Sequence, residues 1–216
     1  MWPWSENRLL KSALRLYAGE HVLAKVLREG ENGLTLNAQR ADLTIMFIDI
    51  AGFTAAENAF PSDQLVDFIN AYLQTVSECI FAHHGVLDNY TGDAITAWWR
   101  DANSACICAK QIVEKVELLN VGNSRANRAK IKVGIGINSG PVRLGNYGST
   151  RRIKFTVLGD NVNLASRLCT LANSRYPVPI IISDATKQLV DETLATKLLD
   201  TVQVKGRDDA IQLYSL

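Results

Sequence analysis

Two aspartates carry the first chemical signal in this 216-residue sequence. Asp49 sits inside Ile45 to Ile50, a run of large apolar residues that reads as a buried strand, and the small, permissive pair Ala51-Gly52 follows it. A carboxylate in apolar surroundings is costly unless it is neutralised, paired or bound to a metal. Asp93 lies 44 residues further on, behind Gly92 in a predicted hairpin turn, so only the fold can join the two. Carboxylates at strand ends and turns are well placed to hold Mg²⁺, which keeps waters and takes one or two protein carboxylates plus substrate phosphates. Sharing two ions, the pair would form a two-metal site for chemistry at a phosphoryl group. Gly-Asp is also ordinary turn chemistry, and Asp93 taken alone reads that way. Asp49, between Ile48 and Ile50, has no such local explanation.

Further along, Asn163 and Arg167 are spaced i, i+4 and share one helical face. An amide and a guanidinium there suit a phosphate and the ribose beside it, and Arg matches the charge that develops on transferring phosphoryl oxygens. Read by itself, the segment is better described as an N-cap region followed by an exposed Arg. Lys205, before Gly206 near the end, offers an ammonium that reaches triphosphate oxygens; exposed Lys-Gly turns are common, so alone it says little.

The elements that must position these groups are legible in outline. A helix is predicted from about residue 6 to residue 29, with Leu9, Leu10, Leu14, Tyr17, Val22 and Val26 as a broken apolar stripe. A polar spacer, Asn37 to Asp42, leads into the Asp49 strand. Ser62 opens a helix whose face is Leu65, Phe68, Ile69, Tyr72, Leu73 and Val76. Gly85 to Trp99 reads as two short strands around Gly92-Asp93. Asp101 caps a helix to about Leu119. A strand over 131–140, a long hairpin with a polar tip at 148–152, a helix from Asp160 to about Ala172, a strand over 178–182, a short helix from Asp184 and two strands around Gly206 complete the chain. Strands alternating with helices and hairpins predict an α+β or mixed α/β domain around one sheet.

Apolar content of 47%, charged content of 21% and a net charge of +1 are those of an ordinary globular protein, with no global field for nucleic acid or a membrane surface. No run approaches a membrane span, and Met-Trp-Pro-Trp-Ser is not a signal peptide. Cys79, Cys106, Cys108 and Cys169 contain no C-x-x-C pair and read as reduced, buried thiols, so a cytoplasmic setting is expected. An attached membrane or sensor region outside this chain is compatible with all of this.

From Asp42 to Leu216 the sequence resembles the class III nucleotidyl cyclase catalytic domain, the family of most adenylate and guanylate cyclases. The motifs, in the family's order, are FIDIAGFT at 47–54, GVLDNYTGDAITAW at 85–98, GINSGPVRLGNYGS at 136–149, FTVLGDNVNLASRL at 155–168 and VKG at 204–206. Residues 1–41 resemble, more loosely, the helical connector that often precedes such a domain. The resemblance implies an α+β fold with a ferredoxin-like βαββαβ core plus additional strands and helices, similar to a polymerase palm, working as a head-to-tail homodimer with active sites between the chains. It implies that Asp49, Asp93 and the Ile50 carbonyl hold two Mg²⁺ or Mn²⁺ ions, and that Gly52, Phe53 and Thr54 lie against the triphosphate. It further implies that Asn163 orients the ribose, Arg167 stabilises the transition state and Lys205 holds terminal phosphates, these three coming from the second copy. The reaction implied is conversion of ATP to 3′,5′-cyclic AMP and pyrophosphate.

Base recognition departs from the family pattern. Adenylate cyclases usually carry Lys where this chain has Asn89, with Asp or Thr where it has Thr156; guanylate cyclases usually carry Glu and Cys. Thr156 fits the adenine pattern and Asn89 fits neither; its amide both donates and accepts, so it suits either purine edge. ATP is the expected substrate, with GTP or mixed specificity, or a catalytically silent nucleotide-binding module, as alternatives. Trp98-Trp99 reads as straddling a strand, one face buried and one in an interface.

Overall fold

In the computed structural model, residues 4–53, 62–125, 130–203 and 210–216 are described. The order is α1 (Trp4–Ala18), α2 (Glu20–Glu29), a 3₁₀ turn (Gly30–Leu34), β1 (Ala38–Ile50), α3 (Ser62–Ala82), β2 (Val86–Thr91), β3 (Ala94–Trp99), α4 (Ala102–Arg125), β4 (Val133–Ser149), β5 (Arg152–Leu158), α5 (Asp160–Ser174), β6 (Ile180–Ser183), α6 (Asp184–Lys187), β7 (Lys197–Gln203) and β8 (Ala210–Ser215). The run β1-α3-β2-β3-α4-β4 is the predicted βαββαβ core. Its strands lie in the order β2-β3-β1-β4 and the sheet continues through β6, β8 and β7, while β5 pairs with β4. Pairing is antiparallel for β1 with β3, β2 with β3, β4 with β5, β6 with β8 and β7 with β8, and parallel for β4 with β6. This is the α+β architecture expected of the motifs.

The chain falls into two compact units, residues 1–41 with 142–159, and residues 42–141 with 160–216. In the second, β1 is a central strand. Leu43, Thr44, Ile45 and Met46 are all buried in succession, the pattern of a strand covered on both faces. α3 lays Phe68, Tyr72, Val76, Cys79 and Ile80 into the core, a helical stripe of period near 3.6. α4 starts on Asp101, whose carboxylate accepts from the Ser104 N–H at 2.8 Å and the Ser104 hydroxyl at 2.6 Å, an N-cap worth about 1 kcal/mol. Packed against both α3 and β3, α4 has two covered flanks, which is why Cys106 and Cys108 are both fully buried despite lying two residues apart. All four cysteines are buried and unpaired by disulfides.

In the first unit, the single helix expected over residues 6–29 is two. Gly19 takes φ +92° and its N–H closes on the Arg15 carbonyl at 3.0 Å, ending α1 before α2 restarts; an L side chain resists that backbone and glycine does not. Asn146, buried on β4, donates its amide to the Gly33 and Thr35 carbonyls, both at 2.8 Å. The His21 ring lies 5.5 Å from that of Phe155.

A second correction concerns Trp98-Trp99. Both are buried within this chain, 6% and 2% exposed, because β3 lies between β2 and β1 with both faces covered. The Trp99 indole N–H donates to the His83 carbonyl at 3.0 Å.

Gly136 fixes how closely α5 approaches β4. A Cβ there would lie 2.1 Å from the Cys169 nitrogen and 2.3 Å from the Ala165 carbonyl oxygen, backbone atoms that cannot swing aside. Gly136→Ala is therefore expected to destabilise the fold by about 3 kcal/mol, the upper part of the overpacking range. Urea unfolding measures this, and an unchanged midpoint would contradict so close a crossing.

Candidate active site

The antiparallel register of β1 and β3 sets Ile48 opposite Ile95. Continued two residues, it brings Asp93 opposite Ile50, and the Ile50 N–H donates to Asp93 Oδ2 at 3.2 Å. The turn that carries Asp93 is made tight by Gly92, at φ +65°, a backbone that favours glycine. The two carboxylates meet there. Asp49 is half-buried beside Asp93, and its carboxyl is pushed up to about 6. Burial is the largest cause, followed by the closeness and the charge of Asp93, while the Ile50 N–H pulls the other way. Two carboxylates set this close resist carrying both negative charges, and the pair is a donor set that suits a divalent cation.

The surroundings fit such an ion. The Tyr72 hydroxyl and Asn173 Oδ1 are buried without a hydrogen-bond partner. The Asn173 amide donates, at a long 3.5 Å, to the carbonyl of Asp49 itself. Among the described residues no three His, Cys, Asp or Glu side chains converge. Two carboxylates, with the remaining coordination left to water and phosphate, match Mg²⁺ or Mn²⁺ better than zinc.

Beyond β1 the chain turns sharply. The Ala51 N–H donates to the Lys132 carbonyl at 2.7 Å, Gly52 is exposed at φ +70°, and Phe53 packs partly buried on the core. Thr54 and Lys205 lie outside the described residues.

α5 presents its inner face, Val162, Leu164, Ala165, Leu168, Cys169 and Ala172, to the core. One turn apart on the same helix, Asn163 is exposed and Arg167 half-buried. A chain of buried polar groups secures the start of this helix. Asn138 donates to the carbonyl and side chain of Asn161 at 3.0 and 3.1 Å and accepts from the Ser183 hydroxyl at 2.7 Å. Ser183 meets Thr186 at 3.3 Å, Thr186 meets Ser139 at 3.0 Å, and Ser139 meets Thr44 on β1 at 2.8 Å. With every member partnered, such a network rigidifies what it holds. Burial, first, and the Asp49 charge push the Cys169 thiol up to about 12, so it stays an unreactive thiol.

Asn89 is half-buried on β2, just past the register shift between Leu87 and Asn89, and its amide donates to Thr91 Oγ1 at 2.9 Å. Thr156 is half-buried on β5, opposite Gly145. The structure thus joins Asp49, Asp93 and Ile50 directly and sets Asn163 and Arg167 on one helix face. Two buried polar groups escaped the sequence reading, Tyr72 and Asn173, the second in reach of Asp49. Tyr72 was legible only as one more member of an apolar stripe; the available signal is that a Tyr buried mid-stripe normally needs a partner for its hydroxyl.

The model of the adenylate and guanylate cyclase catalytic domain matches residues 36–216. The chain belongs to the class III nucleotidyl cyclase family. An adenylate cyclase of Anabaena cylindrica is 35% identical over 183 residues, covering 81% of this chain and 36% of that protein. A bacterial light-regulated adenylyl cyclase superposes with a TM-score of 0.86 at 25% identity, covering 98% of this cyclase domain and 63% of that chain. The guanylyl cyclase Cya2 superposes with a TM-score of 0.74 at 27% identity, covering 83% and 93%. The chain spans about a third of the length of the adenylate cyclases of Rhizobium meliloti and Anabaena cylindrica that it matches. Among its described residues no helix is long and apolar enough to cross a membrane.

Proposed function

We propose that this chain is the catalytic domain of an adenylate cyclase that converts ATP to 3′,5′-cyclic AMP and pyrophosphate at sites formed between two copies. The observation that carries the reading is the meeting of Asp49 and Asp93, which leaves a carboxylate pair that repels itself unless a proton or a cation lies between. Two Mg²⁺ or Mn²⁺ ions held there would activate the attacking oxygen and offset phosphate charge. The rest falls to the chain. Asp49, Asp93 and the Ile50 carbonyl hold the ions, and the backbone of Gly52, Phe53 and Thr54 lies along the triphosphate. From the second copy, Asn163 orients the ribose, Arg167 meets the charge growing on the α-phosphoryl oxygens and Lys205 holds the terminal phosphates. The ATP 3′-oxygen loses its proton and bonds to the α-phosphorus, while the bond from that phosphorus to the bridging oxygen breaks and releases pyrophosphate.

The substrate base rests on Thr156 and Asn89. Thr156 supports adenine. Asn89 supports a second reading, a guanylate or mixed-specificity cyclase, because its amide serves either purine edge and guanylyl cyclases are among the similar structures. Purified protein with Mn²⁺ and either nucleotide separates the two. Cyclic AMP is expected to form from ATP at least about tenfold faster than cyclic GMP from GTP, a difference of about 1.4 kcal/mol; a preference for GTP would overturn the assignment.

A further inference from the structure

Alternate residues of β4 turn one face toward α5. On that row stand Gly134, Gly136, Asn138 and Gly140. A Cβ at Gly134 would lie 2.2 Å from Asn173 Oδ1, one at Gly136 2.1 Å from the Cys169 nitrogen, and one at Gly140 2.7 Å from Asn161 Nδ2. All three neighbours belong to α5, so the helix runs along a track of glycines. Asn138 carries the single side chain on that stretch of the row. A glycine track lets helix and strand approach closely but gives the helix nothing to lock into. The inner face of α5 is apolar, and apolar burial is non-directional, so it tolerates sliding along the strand. Hydrogen bonds do not. Asn138 is fully buried, and its amide donates to both the carbonyl and the side-chain oxygen of Asn161, at 3.0 and 3.1 Å, in the first turn of α5. The Ser183 hydroxyl donates to Asn138 Oδ1 at 2.7 Å and fixes which way the amide faces. Asn161 in turn donates to the Pro141 carbonyl at 2.9 Å. Asn163 and Arg167 follow directly on this clasp, within the next two turns of the same helix.

We propose that Asn138 is a positioning residue for the α5 half of the active site, its amide fixing where along β4 the helix stops and so where Asn163 and Arg167 stand. The inference rests on the reading of those two residues as the groups that meet ribose and α-phosphate from the second copy. A buried polar group in place of an apolar one then has a use: it specifies one arrangement of helix on strand where the glycines allow several.

Asn138→Ala is expected to lower kcat by about 10²-fold, the cost of misplacing a reacting group by about 1 Å. Mixing experiments then assign the loss to one half of the site. Mixed with Asp49→Ala, Asn138→Ala should recover about a quarter of wild-type activity, because half the dimers are mixed and each holds one site with sound carboxylates from one copy and a sound α5 from the other. Mixed with Arg167→Ala it should recover nothing, since both lesions then lie on the same side of the site. A merely structural defect would weaken both halves and complement neither. Recovery with neither partner, recovery with Arg167→Ala, or a kcat near that of the wild type would each overturn the proposal. Asp49→Ala mixed with Arg167→Ala is the reference. If that pair recovers while Asn138→Ala does not, only the role of Asn138 is lost. If the reference pair stays inactive despite subunit exchange, the between-copy reading fails, and the double variant Asn138→Ala/Arg167→Ala decides the role of Asn138. A combined loss smaller than the product of the single losses supports it, and losses that multiply overturn it. Should Asn138→Ala not fold, Asn161→Ala carries the same mixtures, since it leaves the buried bond between Asn138 and Ser183 in place.

Discussion

Asp49→Asn is expected to lower cyclic nucleotide formation by about 10³-fold or more, and at the same time to make the metal-free protein more stable near pH 7.5. Both follow from one arrangement. The variant keeps the size of the side chain but removes the charge that repels Asp93 and resists burial, so the empty site relaxes while its hold on a cation is lost. The pH dependence carries the sign. The Asp49 carboxyl stands at about 6 in the folded chain against an ordinary 3.8. Between about pH 4 and 6 the native state therefore holds more protons than the unfolded state, and stability falls as pH rises through that window. Asp49→Asn should flatten this slope, which thermal midpoints measured from pH 4 to 8 without metal will show. Mn²⁺ binding needs both carboxylates ionised, so wild-type activity should climb through about pH 6 and level off above it. An Asp49→Asn protein with an unaltered slope, or with activity near that of the wild type, contradicts the account.

The second large effect concerns the proposed division of each site between two copies. Arg167→Ala is expected to lower kcat by about 10²- to 10³-fold, the usual cost of removing one group aimed at developing charge. KM should change little, because that charge appears mainly in the transition state. Arg167→Ala and Asp49→Ala proteins are each expected to be inactive, yet their mixture should recover about a quarter of wild-type activity. In a two-fold dimer with statistical exchange, half the dimers are mixed, and each of those keeps one site in which both groups are intact. Recovery that tracks subunit exchange supports the shared site. No recovery despite demonstrated exchange excludes it.

Much of this was legible in the chain because local patterns and long-range placement agree. The hairpin around Gly92-Asp93, the helix from Asp160 and the apolar run ending at Asp49 each have strong local signals, and the antiparallel register then dictates that Asp93 faces Ile50. Features that depend on what covers a residue were harder to read. Alternation sets one of Trp98-Trp99 in the core and the other in an interface, yet β3 is covered on both faces within this chain. The break at Gly19 needed knowledge of its left-handed backbone, since a glycine inside a helical pattern is often tolerated. Tyr72 is the most instructive case. Its spacing on α3 was read correctly as core, but periodicity counts side chains as apolar or polar and says nothing about an oxygen left unpaired among them.

The most direct measurement is a crystal structure with Mn²⁺ and an ATP analogue lacking the 3′-hydroxyl, with manganese located by its anomalous scattering. The account predicts manganese ligated by the carboxylates of both Asp49 and Asp93 and lying against the triphosphate oxygens. Manganese bound only to the phosphates, with those two side chains still set against each other, would contradict it.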